Sequence, residues 1–151
     1  MKPEIINRFK KASRDYSDTS VFMHEVIAKR AGLSSGDHKY LGIILDNKQL
    51  TAGEIAELTG LTTGAVTGLI DRLEAKKLVK REFTKDDRRK VIIVAQEENC
   101  IKLFKPLFED LHKKTASLIS TFSGKDLAVI ERYFIEATKI MKEITNQLNQ
   151  K

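Results

Sequence analysis

The stretch TAGEIAELTGLTTGAVTGLIDRL, Thr51 to Leu73, constrains the fold of this chain more than any other. Thr51 and Glu54 have the spacing of a capping box, in which each side chain satisfies a backbone N–H of a helix's first turn. Ile55, Ala56 and Leu58 are expected to face inward along that short helix. Thr59-Gly60 breaks it, because glycine adopts the positive φ of a tight turn without penalty. The next helix starts at Thr62 or Thr63 and runs to Lys77, with Val66, Leu69, Ile70 and Leu73 inside. Two helices crossing steeply over a short turn need a small residue where they meet, and Ala56 supplies it. Ile55 and Leu61 close the small core. The window reads as a helix-turn-helix.

The flanks extend this pattern. Ile5, Phe9, Ala12, Tyr16, Thr19, Met23 and Val26 recur at steps of four and three, which predicts a helix over 5–30 that Gly32 ends. Ser34 or Ser35 caps another, carrying Tyr40, Leu41, Ile43, Ile44 and Leu45 and stopping at Asp46-Asn47. After Lys77 the period falls to two. Val79, Arg81 and Phe83 alternate with Lys80, Glu82 and Thr84, and Val91-Ile92-Ile93-Val94 is β-branched throughout, so a hairpin with a polar tip at 85–90 is expected. Phe104, Leu107, Leu111, Leu118 and Phe122 lie on one face of a fifth helix. Ser123 caps a sixth, in which Leu127, Ile130, Phe134, Ala137, Met141, Ile144 and Leu148 repeat like a heptad seam.

The fold class that follows is mainly α with a small β-hairpin wing: a winged helix-turn-helix with N- and C-terminal dimerisation helices. With two prolines and no Gly/Ser-rich linker, residues 1–151 read as a single domain. Within it, 34–96 form the winged helix-turn-helix DNA-binding part, and 1–31 and 97–151 the helical dimerisation part. The apolar faces of the end helices exceed what one small globule covers, which points to a homodimer. The alternative is a monomeric helical bundle.

Charge narrows the partner. Residues 72–90 hold nine Lys/Arg and four acids, a net of +5, while the other residues carry 18 basic and 17 acidic side chains. A positive excess confined to one short segment is the footprint expected of a nucleic-acid site, although a charge run alone reads more plainly as a solvated face; beside the helix-turn-helix, the expected partner is double-stranded DNA. Nothing resembles a glycine-rich phosphate loop, a nucleophile elbow or a metal-ligand pair beside an acid, so no enzymatic activity and no cofactor are expected. No apolar run nears the ~18 residues of a membrane span, and the N-terminus lacks a signal peptide's apolar stretch. A cytoplasmic protein without a membrane partner is expected, and the single cysteine, Cys100, agrees with a reducing compartment.

The second helix of the motif presents Thr62, Thr63, Gly64, Thr67, Gly68 and Asp71 outward. Small residues let its backbone approach a major groove, with threonines on phosphates and thymine methyls and Arg72 on a phosphate or a guanine edge. At the hairpin tip Lys85, Arg88, Arg89 and Lys90 form the second contact, with guanidinium groups suited to a narrow minor groove. Asp86 and Asp87 are placed to orient one of those arginines.

GLTTGAVTGLIDRLEAKKLVKRE and DDRRKVIIV resemble the recognition helix and the wing of the multiple-antibiotic-resistance regulator (MarR) family. The resemblance spans nearly the whole chain. It implies a homodimeric transcriptional regulator on palindromic operators, with residues 62–72 in successive major grooves and Arg88 in the minor groove. It also implies a repressor released by a small, aromatic or anionic effector bound between the dimer helices and the winged part. The chain departs from the family where Leu-Thr-x-x-Gly often follows the return strand, since Ala95, Gln96 and Asn99 stand there, and where Thr84 and Lys85 replace an acid and a proline.

Tyr16, His24 and Tyr40 are candidates to line an effector pocket, against the plainer reading of core or interface aromatics. His24, His38 and His112, with Asp37 and Cys100, would serve a zinc-switched regulator only if the fold gathered them, because no histidine pair has helical i, i+4 spacing. Glu97 and Glu98 oppose a reactive thiolate at Cys100, which reads as a partly buried cysteine rather than an oxidation switch. The remaining alternative is a winged-helix protein-interaction module, but such a surface should expose aromatics and the outer face at 62–72 has none.

Overall fold

The structure is a computed structural model that describes residues 2–83 and 91–149. Among these residues the order is α1 (Pro3–Arg30), α2 (Ser35–Asn47), β1 (Gln49–Leu50), α3 (Ala52–Thr59), α4 (Thr63–Ala75), β2 (Val79–Phe83), β3 (Val91–Ala95), α5 (Glu97–Ile119) and α6 (Gly124–Asn149). The chain divides into two compact units, 1–107 and 108–151.

In the first unit α1 starts at Pro3, two residues before the apolar pattern does. Proline suits a first helical position, where its missing N–H has no partner to lose. The Ser34 hydroxyl accepts the Asp37 N–H at 3.0 Å and caps α2. Lys48, at φ 62°, turns the chain into β1, a strand that the sequence reading did not anticipate. It pairs antiparallel with β3, Gln49 opposite Val94 and Leu50 opposite Ile93. β3 also pairs antiparallel with β2, from Val79 opposite Ala95 to Phe83 opposite Val91, so the sheet order is β1-β3-β2.

The capping box of α3 is present: the Glu54 N–H donates to Thr51 Oγ1 at 3.2 Å and the Thr51 N–H to Glu54 Oε2 at 2.6 Å. Gly60 ends the helix at φ 71°. Thr62 caps α4 by accepting the Ala65 N–H at 3.3 Å. α4 ends at Ala75 rather than Lys77, which has φ 57° and cannot continue a right-handed helix. Leu41, Ile44, Ile55, Val66, Leu69, Leu73, Val79 and Ile93 are almost wholly buried and form one core beneath the sheet and helices.

Leu58 does not face inward as its apolar character predicts: it is 54% exposed. The stripe that α3 turns inward runs Ala52, Ile55, Ala56 and Thr59. At 3.6 residues per turn, Leu58 lies roughly 60° to one side of Ile55 and clears the core.

The start of α5 rests on the residues that depart from the family pattern. The Gln96 side-chain amide donates to the Val79 carbonyl at 3.1 Å, and that of Asn99 to the Lys77 carbonyl at 2.8 Å. Together they satisfy one carbonyl in the turn after α4 and one on the first residue of β2. Pro106 lies within α5, and the helix ends at Ile119, so Phe122 stands in the following turn and not on its face.

In the second unit Ser123 and Asp126 repeat the box logic at α6, with the Asp126 N–H on Ser123 Oγ at 3.2 Å and the Ser123 N–H on Asp126 Oδ2 at 3.1 Å. α6 has no buried residue, and Phe134, Met141, Ile144 and Leu148 are exposed. On α1, Ile5, Phe9, Tyr16, Phe22 and Val26 are likewise exposed. Among the described residues no helix is long and apolar enough to cross a membrane.

Candidate nucleic-acid interface

α4 buries Val66, Leu69, Ile70 and Leu73 and leaves Thr62, Thr63, Gly64 and Thr67 exposed, as the pattern predicts. Two of the threonine hydroxyls are already engaged. Thr62 Oγ1 caps the helix, and the Thr67 hydroxyl donates to the Thr63 carbonyl at 3.0 Å. Thr67 therefore offers a methyl group and acceptor lone pairs, not a free hydroxyl proton.

Arg72 is held by a residue thirty-five positions away. Its Nε donates to Asp37 Oδ2 at 2.9 Å and its Nη2 to Asp37 Oδ1 at 2.7 Å, a bidentate fork. The Asp37 side chain is 7% exposed and that of Arg72 57%. The Arg72 hydrogen bond lowers the Asp37 pKa, against the rise that burial alone would cause. The Asp37 hydrogen bond in turn raises that of Arg72. A Cβ built on Gly68 would stand 3.2 Å from Arg72 Nη1, so the glycine makes room for the guanidinium. Sequence reasoning missed Asp37 as a partner, because a contact between separate helices has no local signature.

A second arginine ties the sheet to α4. Arg81 on β2 donates through Nη2 to Asp71 at 2.5 Å and through Nη1 to Glu74, and its backbone N–H reaches Glu74 Oε1 at 3.0 Å. The two carboxylates raise the Arg81 pKa. Asp71, on the outer face, is thus committed to β2. Lys85, Arg88, Arg89 and Lys90, with Asp86 and Asp87, lie outside the described residues.

The three effector candidates are dispersed over two helices. Tyr16 is exposed on α1. His24, two turns further along, faces His38 of α2 with ring centroids 5.6 Å apart, and His38 packs on Phe104 of α5 at 5.2 Å. Burial, then the neighbouring His24, lowers the His38 pKa. Tyr40 is half-buried beneath the Lys39 ammonium, 6.0 Å from its ring centroid. His112, in the second unit, stacks on Phe108. Among the described residues no three His, Cys, Asp or Glu side chains cluster as metal ligands. Cys100 is buried, donates to the Leu78 carbonyl at 3.4 Å, and has its pKa raised by burial and then by Glu97.

The sequence profile of the MarR family matches residues 31–90, from the end of α1 through both helices of the motif to the start of β3. The HTH-type transcriptional regulator YcgE of Bacillus subtilis (strain 168) is 36% identical over 137 residues, 91% of this chain and 88% of the relative. The chain belongs to the MarR family. Solved structures agree in fold. A MarR family protein from Bacillus stearothermophilus superposes with a TM-score of 0.70 at 21% identity, covering 94% of this MarR chain and 99% of its own. Streptococcus pneumoniae FabT, solved in complex with DNA, gives 0.70 at 18% identity over 92% and 99%. The mainly helical architecture with a small antiparallel sheet is that of the MarR winged helix-turn-helix.

Proposed function

We propose that this MarR-family chain is a transcriptional regulator that binds duplex DNA as a homodimer. α4 enters successive major grooves and the hairpin tip the flanking minor grooves. The observation that carries the reading is the outer face of α4: a capped helix set in a winged helix-turn-helix, presenting the small residues Thr62, Thr63, Gly64, Ala65 and Thr67, with Arg72 beside them and Asp71 already paired with Arg81. Small residues there let the helix axis approach base edges closely, and the net +5 of residues 72–90 supplies the phosphate attraction. A fold neighbour, FabT, has been solved on DNA.

The exposed apolar side chains of α1, and separately those of α6, support dimerisation through the end helices, because so many large apolar groups left in water on a helix favour a partner surface. A two-fold dimer reads an inverted repeat. In this reading the protein is a repressor, released by a small aromatic or anionic effector whose pocket draws on Tyr16, His24 and Tyr40.

Selection of bound duplexes from a random pool at two salt concentrations tests the proposal. An inverted repeat with half-sites about one helical turn apart, bound with steep salt dependence, is expected. Arg88→Ala should then weaken binding by about 1–3 kcal/mol, the range of a good groove contact. Equal retention of all sequences would refute a sequence-specific reader.

A further inference from the structure

We propose that Asp37 is a positioning residue for DNA recognition: it locks the Arg72 guanidinium so that a single donor edge is left to face the double helix. The inference rests on the reading of α4 as the recognition helix.

The hydrogen-bond inventory defines that edge. A guanidinium carries five N–H donors. Asp37 takes the Nε donor and one Nη2 donor. Three remain, and one on Nη1 lies parallel to one on Nη2, the end-on fork that matches the O6 and N7 acceptors of guanine. Direction follows from the helix. Side chains on a helix lean toward its N-terminus, and Arg72 Nη1 lies back over Gly68, one turn earlier. A residue rooted in the second half of α4 thereby delivers its charge toward the half that docks against bases.

A brace between α2 and α4 would not require this arrangement. Leu41 and Ile44 of α2 and Leu69 and Leu73 of α4 already join the two helices in the core. The pair is also lopsided. Its carboxylate is buried while the guanidinium is mostly exposed. Fixing the arginine before DNA arrives removes the rotamer entropy that a free arginine loses on binding, which is how preorganisation raises affinity.

The sign of one substitution separates positioning from simple electrostatics. Asp37→Asn removes a negative charge beside a polyanion's binding face. Electrostatics alone then predicts tighter binding to every duplex. Positioning predicts weaker binding to the operator.

The experiment uses the full-length protein and the operator recovered by selection, with every single-base-pair variant of one half-site in parallel competition. Wild type, Arg72→Ala, Asp37→Asn, Gly68→Ala and the Asp37→Asn/Arg72→Ala pair are compared, each checked by circular dichroism and melting. Arg72→Ala is expected to lose roughly 5- to 150-fold, concentrated at one base pair per half-site. Asp37→Asn should reproduce that profile, and the double variant should bind no more weakly than Arg72→Ala alone. Gly68→Ala leaves Asp37 untouched but makes the guanidinium give by a few tenths of an ångström, so it should weaken the preference at that same position even though alanine favours the helix. It decides the matter if Asp37→Asn does not fold. Unchanged base preference in Arg72→Ala or Gly68→Ala, or uniform tightening in Asp37→Asn, overturns the inference while leaving DNA binding intact. Wild type that binds no duplex overturns the recognition-helix reading and this inference with it.

Discussion

Replacing Arg72 by alanine should destabilise the fold in a way that depends on pH. The variant leaves the Asp37 carboxylate, 7% exposed, without its bidentate partner. Breaking a fully buried ion pair costs about 3–5 kcal/mol. Here the guanidinium end is 57% exposed, so water enters once the arginine is truncated, and the expected loss is nearer ~2 kcal/mol after that discount. For a chain of this size that lowers Tm by roughly 4–8 °C at fixed protein concentration. In the wild type the arginine holds the Asp37 pKa below its ordinary value of 3.8. Its stabilisation is therefore complete above 3.8 and is lost as pH falls through the lower folded value. In Arg72→Ala only burial acts strongly on the carboxyl, raising its pKa. The variant regains stability as pH falls through that raised value, because the neutral acid tolerates its site. The gap between the two proteins should thus be widest near pH 7 and narrow steadily toward pH 4. Urea denaturation at pH 7, 5.5 and 4, with melts alongside, measures it. A gap that stays constant across this range, or one below about 0.5 kcal/mol at pH 7, refutes the reasoning that a buried carboxylate depends on Arg72.

Two further outcomes test the core and the thiol. Ile55→Ala should cost about 2–5 kcal/mol in urea denaturation, because its side chain is wholly buried, whereas Leu58→Ser, three residues on, should stay within about 0.5 kcal/mol. The Cys100 thiol, buried and with its pKa raised, should react with a disulfide reagent at the rate of local or global opening, so its modification should accelerate with urea and not simply with pH between 7 and 9.

Legibility in the sequence followed the range of each interaction. The Thr51–Glu54 box, the Gly60 turn and the Ser123 cap connect residues at most four apart, and each stands where its spacing placed it. The inner stripe of α4 was equally plain, since Val66, Leu69, Ile70 and Leu73 carry their own period. β1 was not, because two residues cannot show alternation. Leu58 misled because apolar identity is visible in a sequence but a helix's exact facing is set by its neighbours. At the site, the outer face of α4 was legible as a row of small residues. Its chemistry was not, because it depends on what the side chains already bind. Thr67 is engaged by its own helix, Asp71 by β2, and Arg72 by Asp37, an aspartate in a helix elsewhere in the sequence. Gln96 and Asn99, departures from the family pattern, prove to be the groups that anchor the start of α5.

The place of β3 in the sheet has a mechanical consequence. Ile93 stands opposite Leu50 on one side and Arg81 on the other. Leu50 adjoins the residue that caps α3, and Arg81 grips Asp71 and Glu74 of α4. One residue is thus the fulcrum of a caliper whose jaws are the helix pair and the hairpin. A strand cannot creep by a fraction of a step, and a slip of one residue would turn Ile93 out of the core. The register between the jaws consequently has one setting, so the hairpin can meet a different DNA geometry by bending or twisting but not by sliding.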